Sequence, residues 1–264
     1  MPSPAYRPDR VPQPSLHILI PVLDEAANLE RLFAGLRATA AELGDYRVKV
    51  LLVDDGSRDG TAGAAPGYAS GLELAVLTHE TNRGPGAAFG TGFEHLSSRV
   101  EPHDFVLTME GDNTSRTELI ATMLRRAGEG HDAVFASPYM YGGGIVHTNA
   151  LRVLVSHIAN SIVKELLGVH GLLTVSSFFR LYRGDCIQRL QERYGPRIIE
   201  RSGFESMVEL VMKMMYLRMS ISELPMVLDS SRRAGRSKLN VRRTAIGYLA
   251  LLRYKQAWQR RAGI

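Results

Sequence analysis

An α/β fold, with a mostly parallel sheet covered by helices, is the architecture this 264-residue chain predicts. Three observations carry that expectation. Apolar runs alternate with amphipathic helical stretches through the first half. The runs are nearly continuous in Val, Ile and Leu, as in strands buried on both faces. Carboxylates cluster where those runs end, the edge at which such sheets bind ligands.

The elements follow in order. MPSPAYRPDRVPQPS has prolines at 2, 4, 8, 12 and 14, which predict a disordered arm over 1–15. It lacks the apolar core of a signal peptide. SLHILIPVL (15–23) is the first strand, and Leu29, Leu32, Phe33, Leu36, Ala40 and Leu43 then share one helical stripe. Strands recur at VKVLLVD (48–54), LELAVLT (72–78), DFVLTME (104–110) and DAVFAS (132–137), with helices over roughly 59–70, 85–99 and 116–128. Beyond them come a glycine-rich loop at 139–148, an apolar helix over 149–167 capped by Asn149, a helix over 203–219 and a strand over 220–229. No repeat or linker interrupts the chain. One domain over 16–243 is expected, then a basic amphipathic helix over 244–264.

Composition narrows the classes. With 45% hydrophobic and 22% charged residues the chain reads as globular. Cys186 is the only cysteine, which excludes an intrachain disulfide and a cysteine zinc site and suits a reducing cytoplasm. The longest uncharged apolar runs, 166–179 and 244–252, are shorter than the roughly 18–20 residues that span a bilayer. Net charge is +5, yet ten of the basic residues follow Asp229, where no Asp or Glu remains. Without them, 22 basic residues face 27 acidic ones. The C-terminal segment therefore seeks phosphates, on nucleic acid, lipid or nucleotide, or is a solvated tail.

Four strand-end loops carry candidate chemistry. In IPVLDEAANLERL, Asp24 and Glu25 suit a helix start or a ligand. In VDDGSRDGT (53–61), Asp54 and Asp55 suit a turn, a metal, or hydrogen bonds to a nucleobase. In NRGPGAAFGTG (82–92), Gly84, Gly86 and Gly90 approximate a dinucleotide fingerprint, with Glu110 further on. That fingerprint belongs to a first strand–helix turn, whereas two units precede it here. Its alternative to an NAD site, as in an oxidoreductase, is a loop whose backbone approaches a ligand closely. In LTMEGDNTS (107–115), Glu110 and Asp112 face one side of an extended chain, roughly 6–7 Å apart. Such oxygen ligands suit Mg²⁺ or Mn²⁺ together with substrate phosphates. A capping box between Ser115 and Glu118 would explain the same stretch structurally.

The four motifs, continued by GGG (142–144), VSSFFRLYRGD (175–185), GFESMVEL (203–210), SELPMVL (222–228) and RRAGRSKL (232–239), form an ordered set. The set resembles the family 2 glycosyltransferases, whose Rossmann-like GT-A fold binds nucleotide sugars, and above all the dolichyl- and polyprenyl-phosphate glycosyltransferases. The likeness runs from about residue 16 to 243. It implies that Pro21, Leu23, Glu25, Asp54, Asp55 and Arg83 bind the nucleotide, and that Glu110 and Asp112 bind Mg²⁺ or Mn²⁺ on the donor diphosphate. Arg232, Ser237 and Lys238 match a segment that closes over the phosphates, so Asp112, Arg232 and Lys238 carry the catalytic burden.

The implied reaction is inverting transfer of a hexosyl group from a GDP- or UDP-type donor to a polyprenyl phosphate, with Ser137, Arg152 and Arg180 as acceptor candidates. A soluble hydroxyl acceptor is the alternative, with Glu205 or Glu209 as base. The partners implied are nucleotide sugar and lipid, not nucleic acid, at the cytoplasmic face of a membrane. Ile246, Leu249 and Ala250, beside Arg242, Arg243 and Arg253, would lie on anionic lipid. The chain departs from the family at Glu110 (Asp in the family), Thr114 (Gln), Pro138 (Arg) and Thr174 (acidic). Truncation after Asp229 is expected to abolish transfer.

Overall fold

Alternating side chains feed two separate cores, one on each face of the sheet. In β1 (Ser15–Val22), Leu19 joins one core and Leu16, Ile18, Ile20 and Val22 join the other. In β2 (Arg47–Asp54), Leu51 and Val53 join the first, and Val50 and Leu52 the second. Burial on both sides is why these runs are continuously apolar. The structure, a computed structural model, describes residues 12–148, 160–162, 164–235 and 241–264, the side chains of 241–243 excepted.

The remaining strands are β3 (Glu73–Thr78), β4 (Phe105–Thr108), β5 (Ala133–Ser137), β6 (Gly144–Val146), β7 (Arg180–Arg183), β8 (Ile221–Pro225) and β9 (Val227–Asp229). The main sheet runs β3-β2-β1-β4-β7-β5-β8. Its strands pair in parallel except β7, which is inserted antiparallel between β4 and β5. The chain lays β2 and β3 on one side of β1, then β4 on the other. That reversal opens a crevice at the carboxyl ends of β1 and β4, the ligand edge of an open α/β sheet.

Helices α1 (Leu29–Glu42), α2 (Thr61–Tyr68) and α4 (Ile120–Gly128) cover one face through Leu32, Phe33, Ala65 and Met123. Helices α3 (Pro85–Leu96), α5 (Gly184–Tyr194), α6 (Ser206–Tyr216) and α7 (Val241–Ala262) cover the other through Phe89, Phe93, Leu190, Val208, Leu251 and Trp258. Of the helix expected over 149–167, residues 160–162 and 164–167 are helical. Asn149 and residues 1–11 of the arm lie outside the described residues.

Three expectations change. The strand over 220–229 is two strands, broken at Met226, whose N–H donates to the Ser137 carbonyl at 3.0 Å. The GGG loop supplies a strand, since β6 begins at Gly144 and pairs with β9. Gly143 is needed for this approach, because a Cβ there would lie 2.7 Å from the Ser137 carbonyl. The C-terminal helix is part of the core, not an appendage: Leu251 and Trp258 are buried. Loss of transfer on truncation after Asp229 would thus report a damaged fold as well as a missing basic segment.

Lys213 of α6 fastens this end of the molecule. It is fully buried and donates to Glu209 (2.6 Å), the Ile198 carbonyl (2.9 Å) and Glu200 (3.1 Å). Its ammonium lies 5.1 Å and 4.9 Å from the ring centroids of Tyr194 and Trp258. Glu200 in turn accepts from Trp258 Nε1 and Arg261 of α7.

Candidate active site

The EGDN turn follows β4 at the crevice. Gly111 packs against β1, where an added Cβ would meet Val22 Cγ1 at 2.7 Å. Asn113 takes a left-handed conformation (φ 65°), which Asn tolerates better than most residues. Asp112 is buried, and its Oδ1 accepts from Thr114 N (3.0 Å) and Oγ1 (2.5 Å). Its Oδ2 accepts from Arg233 Nε (2.5 Å) and, closer still, Nη2. Glu110 accepts from the Ser115 hydroxyl. Burial first, then the Asp112 charge, pushes the Glu110 pKa up. Ser115 therefore serves Glu110, not a capping box. Glu118 instead lies 3.4 Å from Arg116 and 3.9 Å from Arg232.

This pair fits a hard divalent cation. The donors are oxygen only, the kind such a cation takes, and the cation beside them, Arg233, engages Asp112 and not Glu110. Among the described residues no cluster of three His, Cys, Asp or Glu side chains exists to complete a shell. Such a cation would take its other ligands from phosphate and water, as Mg²⁺ commonly does.

The nucleoside-side candidates lie on two interlocked loops. Asp24 (φ 47°) does not cap α1; its Oδ1 accepts from Arg58 N (2.7 Å), and its own N–H donates to Ser57 Oγ (2.8 Å). Glu25 is buried and accepts from Asn28 Nδ2 (2.5 Å). Pro21 and Leu23 are partly exposed at the end of β1. Asp54 spends Oδ1 on the Ser57 N–H (3.1 Å) and hydroxyl.

Asp55 differs from expectation. Its carboxylate is occupied by His79 Nδ1 (2.7 Å), Arg83 N (2.9 Å) and Gly84 N (2.7 Å), so it fixes the 83–84 loop instead of reaching for a base. The ring's other nitrogen lies 2.9 Å from Thr91 Oγ1 of α3. The Arg83 side chain is exposed.

The glycines of that loop admit protein, not ligand. Gly86 N and Ala87 N both donate to the Ser202 carbonyl (2.8 and 3.3 Å), so the first amides of α3 are already used. A pyrophosphate on a nicotinamide fingerprint would need them. Gly86→Ala would set a methyl 2.3 Å from the Arg201 carbonyl. It is expected to cost about 1–3 kcal/mol as overpacking, read as a lowered denaturation midpoint.

Two residues that lie within the quoted motifs but carry no expected role, Asn28 and Arg233, bind the site together. Asn28, 2% exposed, uses its whole amide. Oδ1 accepts from Ala234 N (3.0 Å) and Asn113 Nδ2 (3.2 Å), while Nδ2 donates to Glu25 and the Ala234 carbonyl (3.2 Å). It thereby joins the nucleoside edge, the EGDN turn and the basic segment. Arg233, not Arg232, faces Asp112. Arg232 turns into a cleft of about 220 Å³ between α1 and residues 113–118.

The acceptor candidates are not assembled. Arg180 is fully buried, with Nη1 on the Met207 carbonyl (2.9 Å), Nη2 on the Val175 carbonyl (2.7 Å) and its guanidinium 4.3 Å from the Phe135 ring centroid. It is a core residue in place of an exposed cation. Ser137 is also fully buried, its hydroxyl accepting from Tyr139 N at 3.3 Å. Arg152, Ser237 and Lys238 lie outside the described residues. Glu209 is fully buried and accepts from Glu200 N, Arg201 N (2.9 Å each) and Lys213, which leaves it no role as a base. Glu205 is 5% exposed, with Oε1 3.6 Å from Arg201 Nε.

Comparison with known proteins follows this geometry. Polyprenol monophosphomannose synthase of Mycolicibacterium smegmatis is 25% identical over 225 residues, covering 84% of this chain and 80% of that one. Undecaprenyl-phosphate mannosyltransferase of Micrococcus luteus is 26% identical over 223 residues, with 84% and 86% covered. The chain spans only 52% of the Shewanella sediminis undecaprenyl-phosphate 4-deoxy-4-formamido-L-arabinose transferase, to which it is 30% identical over 193 residues and 71% of its own length.

Among solved structures, the Pyrobaculum calidifontis mannosyltransferase PcManGT, in complex with GDP-Man and Mn²⁺, superposes with a TM-score of 0.56 at 15% identity, covering 99% of this chain and 71% of that one. S. aureus TarS 1-349 with UDP-GlcNAc gives 0.57 at 18% identity, covering 92% and 66%. These likenesses establish the GT-A type of α/β fold. The sequence pattern of Glycosyl transferase family 2 matches residues 17–190, and the chain belongs to that family.

Proposed function

We propose that the chain transfers a hexosyl group, with inversion, from a GDP- or UDP-type sugar to a polyprenyl phosphate. One observation carries the reading. Asp54, Glu110, Asp112 and Arg233 lie along the crevice edge, in a chain whose relatives are named as polyprenol- and undecaprenyl-phosphate sugar transferases. Asp54 binds base or ribose through Oδ2, since Ser57 takes Oδ1. Glu110 and Asp112 hold Mg²⁺ or Mn²⁺, which when bound supplies positive charge to the leaving diphosphate. Arg233, the arginine that faces Asp112, and Lys238, which lies outside the described residues, add charge-assisted contacts to the same phosphates, each worth about 1.5–3 kcal/mol.

An acceptor phosphate oxygen forms a bond to the anomeric carbon as the bond to the nucleoside diphosphate breaks on the opposite face. No proton has to move, because the second pKa of a phosphate monoester is about 6. A site of this kind needs no general base. Glu209, occupied by Lys213 and by the amides of Glu200 and Arg201, supplies no such base, which favours this acceptor over a hydroxyl. The test is incubation with labelled GDP-mannose or UDP-glucose, polyprenyl phosphate and Mg²⁺ or Mn²⁺. Label in the lipid product supports the reading, and its absence with every donor refutes it.

The acceptor's location at the cytoplasmic membrane face requires lipid contact. No helix among the described residues is long and apolar enough to cross a membrane. The α7 surface supplies contact instead: Ile246, Leu249 and Leu252 are 61%, 56% and 40% exposed beside exposed Arg253. Ile246→Glu with Leu249→Glu is expected to weaken binding to anionic vesicles by about tenfold or more, since each apolar side chain buried is worth about 1.5–3 kcal/mol. Unchanged co-sedimentation would contradict this surface.

A further inference from the structure

The segment 230–235 is docked on the EGDN turn at two points of different kinds. The first is neutral: Asn28 holds both the N–H and the carbonyl of Ala234. The second is ionic: Arg233 places Nε and Nη2 on the same oxygen, Oδ2 of Asp112. Upstream, Asp229 stops the chain by accepting from Ser231 N (2.9 Å) and Oγ (2.7 Å). Residues on both sides of Arg233 are therefore anchored, while its own side chain is 24% exposed. The guanidinium is thus the more exposed of the two anchors, Asn28 being 2% exposed.

Asp112 has no spare oxygen in this arrangement. Thr114 holds Oδ1 with two donors, and Arg233 holds Oδ2 with two more. A divalent cation needs a carboxylate oxygen at about 2.0–2.1 Å, which a guanidinium on the same oxygen prevents. Nor would two cationic groups share that oxygen without mutual repulsion. Without any cation, Glu110 and Asp112 would adjoin uncompensated; the guanidinium offsets one of their charges.

We propose that Arg233 is a built-in competitor for the divalent cation at Asp112, so that cation binding and release of the Arg233 latch are a single exchange. The inference rests on the proposed cation site and adds to it. The freed guanidinium is left at the edge where the donor phosphates bind, and the segment 230–235 is then held on the site by the Asn28–Ala234 pair alone, so its backbone opens more readily. A metal-free site is thus closed to solvent cations of low affinity and opens in proportion to cation occupancy.

Two readouts on the full chain, neither requiring transfer, test this. The first is Mn²⁺ alone, titrated into wild type, Arg233→Gln and Asp112→Asn and followed by the electron paramagnetic resonance of free Mn²⁺. Removing the competitor is expected to tighten Mn²⁺ binding about two- to fivefold, the scale of a partly exposed ion pair, while Asp112→Asn weakens it. The second is backbone hydrogen exchange over 230–235. Saturating Mn²⁺ is expected to speed exchange there in the wild type and to leave Arg233→Gln unchanged. Equal or weaker binding by Arg233→Gln, or an unaltered segment in saturated wild type, overturns the competition and leaves the cation site standing. No Mn²⁺ binding by any of the three proteins overturns both.

Discussion

Asp112→Asn is expected to lower sugar transfer about a hundred- to a thousandfold, the scale seen when one preorganised charge partner of a developing anion is removed. The argument is local. Asparagine keeps an Oδ1 to accept from Thr114, so the turn retains its shape. What disappears is the charge that a divalent cation and Arg233 both seek at Oδ2. Because the Arg233 pair is partly exposed, its loss costs little stability, and the melting temperature is expected to stay within a few degrees. Turnover is measured at saturating donor and at the highest tolerated Mg²⁺ or Mn²⁺, so that weaker cation binding is not mistaken for lost chemistry. Near-wild-type turnover under those conditions would remove Asp112 from the site.

Lys213→Ala is expected to have the largest effect on stability. The ammonium is fully buried and neutralises Glu209, itself fully buried; deleting one partner leaves an uncompensated charge, at a cost of about 3–5 kcal/mol. For a chain of this size that lowers the melting temperature by about 10 °C. Replacing both partners, as Lys213→Met with Glu209→Gln, is expected to recover much of the loss. The effect reaches the site by a short route. Glu209 holds the amides of Glu200 and Arg201, and the next residues abut Gly84 and Gly86 of the 82–87 loop. A Lys213→Ala protein that melts within 1 °C of wild type would contradict this reading.

The sheet was legible because its strands are buried on both faces and write themselves as unbroken apolar runs. β1, β2, β3 and β5 fall within about two residues of the stretches quoted from the sequence. β7 was not legible. Its four residues, RLYR, begin and end in arginine, and only burial of Arg180 against backbone carbonyls and the Phe135 ring makes that tolerable. α5 carried a readable signal in the stripe of Cys186, Ile187, Leu190 and Tyr194.

The site divides in the same way. The carboxylates at strand ends announce themselves, because topology brings every such end to one edge. Their occupancy does not. Asn28 meets Ala234 across 206 residues, Arg233 meets Asp112 across 121, and neither pairing leaves a local pattern. Asp55 shows the converse: it is prominent in the motif, but His79 and two loop amides consume its carboxylate. Between adjacent arginines, the sequence pattern selects Arg232, whereas the backbone turn at 230–232 aims Arg233 at the carboxylate.

The most direct measurement offers the protein one labelled donor at a time, GDP-mannose or UDP-glucose, with Mg²⁺ or Mn²⁺. A polyprenyl phosphate and the matching polyprenol serve as alternative acceptors. Label that appears on the phosphate alone, and is lost on chelation, is the predicted result. Label on the free alcohol, or transfer that survives removal of the metal, would contradict it.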